Sequence, residues 1–391
     1  MSKVELLAPA GDYNRALTAF YYGADAVYLA GKDFSLRARA VNFTTTEIRK
    51  VVNLAHAQGK KVYVTVNIFA RDHDFKRLTA YAKQLDQIGV DAVIVADLGV
   101  IQVFREHTHL PIHVSTQANI TNARTAQQYV NLGASRVILA RELNITEIKA
   151  IATALRGQAD VEVFVHGAMC MSYSGRCLLS NLMTGRDANR GDCAQPCRYQ
   201  YTLHEAKRPD EAYPITEDQH GTYIMNSRDL CLIDHLPELI AAGVTSLKIE
   251  GRMKSEYYVA GVVHAYRQAL DGVKKDFRHE LLKVPHRPYT TGFTFGDTSS
   301  KQYADRASSL QSCEFVGLVK APNALIIKNK ICTGDTLEVL SPHDYDGQTF
   351  TWTGEVANVP ESVVAFDCPF PLQPNDILRR PLPAAPTTAP L

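Results

Sequence analysis

Five of the eight cysteines crowd the middle of the chain. Cys170, Cys177, Cys193 and Cys197 lie in EVFVHGAMCMSYSGRCLLSNLMTGRDANRGDCAQPCR (162–198), and Cys231 follows in MNSRDLCLIDHL. Six residues separate Cys170 from Cys177, and fifteen separate Cys177 from Cys193; only Cys193 and Cys197 have the close spacing of a zinc ribbon. Soft thiolates spaced this loosely suit a group larger than one ion, such as a four-iron cluster on four cysteines. Five candidates compete for four places, and spacing does not choose among them. Their neighbours Ser172, Ser174, Arg176 and Asp192 are polar, unlike the surroundings of cysteines that pack as small hydrophobes. A cysteine nucleophile would need a histidine partner, and His166 is the candidate. Cys313, Cys332 and Cys368 sit in strand-like or turn contexts further on and read as packing residues.

Arginines set the substrate class. Arg37 and Arg39 in LRARA, Arg141 in LARELN and Arg252 in KIEGRMK all follow strand-like runs. Guanidinium forks gathered at one mouth suit a carboxylate or phosphate. Glu250 stands beside Arg252, and Arg176, Arg186, Arg190 and Arg198 outnumber Asp187 and Asp192 on the cysteine loop, a charge excess able to meet a phosphate backbone. There is no H-E-x-x-H helix and no G-x-S-x-G elbow.

The elements that must position these groups alternate. GADAVYLA, GVDAVIVA, GASRVILA and GVTSLKIE each read as a helix-ending glycine, a short turn and a buried strand. Further strands are predicted at 5–8, 62–66, 112–115 and 161–165, making eight. Helical patterns over 13–22, 46–58, 78–88, 123–132, 145–155, 232–242 and 256–270 separate most of them, with Thr44 or Thr45 as an N-cap. This predicts an α/β fold, a (β/α)8 TIM-like barrel rather than an open doubly wound sheet. Function then belongs at the carboxyl ends of the strands, where Asn67, Asp97, Ser115, Gln117, Asn119, Arg141, Glu142, His166, Lys248, Glu250 and Arg252 fall.

The barrel is assigned to 1–275, with the cysteine-rich insertion at about 166–231, a linker at 276–312, a small C-terminal all-β barrel at 313–380 and a disordered tail at 381–391. A net charge of +1 argues against a broad, sequence-independent grip on nucleic acid. The N-terminus does not read as a signal peptide, and no stretch approaches the ~18 apolar residues of a membrane span. A cytoplasmic protein with reduced cysteines and no membrane contact is expected.

The stretch 162–180 resembles the collagenase-like peptidases, peptidase family U32. Glu162, Phe164, Gly167, Ala168, Met169, Cys170, Gly175, Cys177, Leu179 and Ser180 match that family's signature. The resemblance extends through LLAPAGD, GADAVYLAG, VTVNIF, STQANITN, RDANRGDCAQPCR, MNSRDLC, LKIEGRMKSEYYVA and YTTGF into the β domain. It implies a barrel carrying a 4Fe-4S cluster, with ligands at Cys170, Cys177, Cys193 and Cys231 and Cys197 as the alternative. It also implies one of three activities. The first is formation of 5-hydroxyuridine at the tRNA wobble position with prephenate as co-substrate; the others are oxygen-independent ubiquinone-type hydroxylation and collagenase-like proteolysis. The extra β domain favours tRNA. Partners implied are tRNA, prephenate and a shorter paralogue of the same family. Candidate residues around the reaction are Arg37, Arg39, Arg141, His166, Glu250 and Arg252.

Overall fold

Each glycine-led repeat delivers its chain into a buried strand. Gly23, Gly89, Gly133 and Gly243 follow helices with φ between +81° and +103°, a left-handed conformation that a side chain disfavours. In a computed structural model the described residues are 4–35, 42–170, 172–198, 216–218, 221–223, 227–295 and 310–383. Eight parallel strands form in chain order: β1 (Glu5–Pro9), β2 (Ala26–Ala30), β3 (Lys61–Val66), β4 (Ala92–Val95), β5 (Ile112–Val114), β6 (Ala134–Ile138), β7 (Asp160–Ala168) and an eighth, Ser246–Ile249. Each pairs with the next, apart from the excursion after β7, and the eighth pairs with both β7 and β1. That double pairing closes the sheet into the expected barrel.

The helices are α1 (Tyr13–Tyr21), α2 (Thr45–His56), α3 (Phe75–Ile88), α4 (Leu98–His107), α5 (Ala123–Asn131) and α6 (Ile145–Ala154). Thr44 caps α2 in a reciprocal capping box with Glu47. α4 adds a helix to those predicted. Asp97, placed with the rim by sequence, is its N-cap and accepts from Gly99 N at 2.9 Å and Val100 N at 3.2 Å. The barrel interior packs Tyr28 and Tyr63 against Ala26, Ala92, Ile94 and Ile138, so the largest rings meet the smallest side chains.

Among the described residues the chain divides into two compact units: 4–20, 24–254 and 287–295 in the first, and 21–23, 255–286 and 310–383 in the second. The helix Glu256–Leu270 therefore groups with the C-terminal sheet, and the division falls at 254/255. In the second unit six antiparallel strands curl around a core that includes Val316, Leu325, Ile327, Leu337, Val339, Trp352 and Leu378. The tail positions from 384 lie outside the described residues.

One buried pair in this unit has a pH consequence. Burial alone would raise the Asp346 carboxyl, but the hydrogen bond and charge of His264 at 3.2 Å, with Lys275 at 3.3 Å, bring it to about 2. Its folded value lies below its unfolded one, so the stabilisation is complete above that unfolded value and is lost as pH falls through the folded one. Asp346→Asn should cost about 2 kcal/mol at pH 6. In urea unfolding, the gap from the parent should narrow between pH 3.8 and about 2.

Candidate functional site at the carboxyl rim

β7 assembles the rim. On its lower half Glu162 and Phe164 face the barrel interior, where each meets Lys248. Phe164 pairs with Lys248 and His166 with Ile249, so β7 carries one extra residue at a bulge. Above the bulge β7 outruns the barrel and pairs antiparallel with the strand Asp229–Cys231, which sets Cys231 opposite His166. That strand is held by a buried pair: Arg287 donates to Asp229 Oδ1 from Nε at 3.0 Å and from Nη2 at 2.6 Å. Burial would raise the Asp229 carboxyl, and Arg287 outweighs it, leaving the pKa lowered.

The cysteine loop folds back over this rim. Its small helix, Leu179–Thr184, is tied to the Cys193 segment by the buried Ser180 hydroxyl, which accepts from Ala194 N at 2.9 Å. Gly175, at φ +74°, lets the loop descend onto Gln117; an added Cβ would meet Gln117 Cγ at 2.9 Å. Arg190 grips Asp74 with both terminal nitrogens, at 2.9 and 3.2 Å, and donates to Phe69 O. Arg186 pairs with Asp192 at 2.8 Å. Two arginines assigned by sequence to a phosphate backbone are thus committed inside the fold. The Arg176 guanidinium lies over the Phe69 ring, and the Arg198 side chain lies outside the described residues.

The result is a cavity whose wall includes Cys170, Cys177 and Cys193 together with Arg141, Lys248, Glu250 and Arg252. Tyr28, Phe164, Asn67, Ser115 and Gln117 also line it. None of the eight cysteines forms a disulfide, and Cys193 Sγ accepts a hydrogen bond from Gln195 N at 3.4 Å. Among the described residues no three Cys, His, Asp or Glu side chains converge to clasp a single ion. Cys197, in the turn Pro196–Arg198, and the buried Cys231 are not on this wall. His166 is buried beside Tyr289, 5.3 Å between ring centroids, and is also off the wall. Arg37 and Arg39 lie outside the described residues.

The cations are held from below. Arg252 donates to Ser35 Oγ at 3.1 Å and Thr65 Oγ1 at 3.2 Å. Arg141 donates to Ala168 O at 2.7 Å and Ser174 Oγ at 2.8 Å. Lys248 donates to Glu162 Oε1 at 2.7 Å, and Arg136 reaches Glu162 Oε2 at 3.0 Å and Glu5 Oε1 at 2.5 Å. Tyr63 OH and Ser246 Oγ also donate to Glu5. Burial lowers the Lys248 pKa against the opposing charge of Glu162, and Glu5 is held low by Arg136 despite its own burial. This ladder of buried ions was not read from sequence, although the alternation of polar with apolar residues in Asp160-Val161-Glu162-Val163 and Ser246-Leu247-Lys248-Ile249 carries the signal. The cavity brings soft sulfur donors and fixed cations to one place, able to hold an anion next to a thiolate-bound group.

A family model described as Peptidase family U32 matches residues 11–304. The "tRNA hydroxylation protein P" of Escherichia coli (strain K12) is 40% identical over 395 residues, covering 88% of this chain and 87% of that one. The "tRNA hydroxylation protein P1" of Bacillus subtilis (strain 168) is 36% identical over 408 residues, covering 97% and 95%. The "23S rRNA 5-hydroxycytidine C2501 synthase" of Escherichia coli (strain K12) is 39% identical over 282 residues, covering 72% of this chain and 41% of that one. A match that runs from α1 through the whole cysteine loop and the eighth strand makes this chain a member of peptidase family U32.

Proposed function

We propose that the protein takes part in hydroxylating RNA, forming 5-hydroxyuridine at the tRNA wobble position with prephenate as co-substrate. The observation that carries this reading is the shared cavity wall: among the described residues, three cysteines and three cationic side chains line one space at the carboxyl rim. Relatives named for tRNA hydroxylation, and one named for making a hydroxylated cytidine in rRNA, support the RNA class. The thiols of Cys170, Cys177 and Cys193, loosely spaced and outside any disulfide, have donor chemistry that fits a 4Fe-4S cluster better than one ion. Cys231, on the strand paired with β7, would be the fourth ligand, with Cys197 as the alternative. Such a cluster, when bound, would supply electrons or Lewis acidity to an oxygen donor.

The chain's own residues supply the rest. Among the arginines, Arg141 and Arg252, with Arg37 and Arg39 as further candidates, are those available to the carboxylates of the co-substrate. The C-terminal sheet and Arg176 offer contacts for RNA, and a shorter paralogue of the family is a candidate partner. Glu250 is the carboxylate on the cavity wall among the described residues. No described helix is long and apolar enough to cross a membrane, and tRNA as substrate places the protein in the cytoplasm. Proteolysis by a cysteine–histidine pair is disfavoured because no histidine is among the described residues lining the cavity. Deleting the gene should remove 5-hydroxyuridine from tRNA nucleosides analysed by mass spectrometry. Unchanged levels in a strain without a paralogue would contradict the proposal.

A further inference from the structure

We propose that Lys248 and Arg141 form a two-point clamp for a small dicarboxylate, each cation taking one carboxylate. This rests on the co-substrate reading above and assigns the deeper anchor to a lysine. Both cations line the cavity and both lie against the Phe164 ring, Arg141 Cζ at 5.2 Å and Lys248 Nζ at 5.4 Å from its centroid. The shared ring sets an upper bound on their separation, the sum of those two distances, which one small diacid can bridge with a hydrogen bond at each end. No carboxylate among the described residues ion-pairs with Arg141, whose hydrogen bonds go to a carbonyl and a hydroxyl. Lys248 is 3% exposed and gives one hydrogen bond, to Glu162, from an ammonium with three donors. Its charge also lies 4.4 Å from the Tyr28 ring centroid. Glu162 gives the buried ammonium a structural partner, and the clamp uses the donors that this one hydrogen bond leaves over. Glu162, itself fixed by Arg136, keeps the ammonium in place.

The test is calorimetric titration of the anaerobically purified full chain with prephenate and with phenylpyruvate, which lacks the ring carboxylate. Lys248→Met is compared with the double variant Lys248→Met/Glu162→Gln, which removes both charges together and so spares the fold an unpaired buried carboxylate. The parent should prefer prephenate by at least about tenfold, the scale of one charge-assisted hydrogen bond. Both variants should bind the two acids within about threefold of each other. A parent preference that survives in the double variant overturns the clamp and leaves the co-substrate reading standing. A parent that binds neither acid overturns both.

Discussion

Cys193→Ala should reduce 5-hydroxyuridine in tRNA to background while leaving the fold intact. The half-buried thiol makes little packing contribution, so between cluster-free samples of variant and parent the stability change should stay below about 1 kcal/mol. Cys313→Ala is the internal contrast. That cysteine is buried at the start of the strand Cys313–Ala321, far from the cavity wall in sequence, and burial pushes its thiol up. Its loss should cost about 1–2 kcal/mol through the space left behind, yet leave the RNA product unchanged. Mass spectrometry of tRNA from complemented deletion strains, with urea unfolding of the purified variants, reads both arms. Full product from Cys193→Ala would mean that the sulfur at the rim only braces the loop.

Arg136→Met should destabilise the barrel by about 3–5 kcal/mol, because it leaves Glu5 and Glu162 facing each other in the interior with one cation removed. Glu162 is fully buried and cannot recover water. The pH dependence follows from Glu5, whose pKa lies below its ordinary value of 4.5 while Arg136 is present. A depressed carboxyl contributes stability that is complete above the unfolded value and lost as pH falls through the folded one. The deficit of Arg136→Met should therefore be largest near neutrality and shrink as pH drops below 4.5. Urea unfolding at pH 7 and across the acid range checks both the size and the slope. A deficit that grows on acidification would contradict the ion ladder.

The eight strands were legible because each repeat writes its own punctuation: a left-handed glycine closes a helix and a β-branched run opens a strand. α4 was not, because β4 and the helix form one apolar run, VIVADLGVIQVF, in which the capping role of Asp97 depends on three-dimensional context. The length of β7 was underread for a similar reason. Residues 166–168 become strand by pairing with 229–231, about sixty residues downstream, a partner no local pattern reveals. Among the candidate residues, Cys170, Cys177, Cys193, Arg141, Glu250 and Arg252 do share one cavity wall. Arg190 was weighed only against Asp187 and Asp192 on its own loop, because its partner is invisible in linear sequence: Asp74 lies 116 positions away. Charge excess along a loop marks a nucleic-acid surface only after such internal pairs are removed.

The cluster proposed at the barrel mouth draws its ligands from thiols dispersed along the chain. Protein purified without oxygen should be brown and contain about four iron and about four sulfide per chain, with both falling sharply in Cys177→Ala. A colourless preparation free of iron, handled under the same anaerobic conditions, would contradict it.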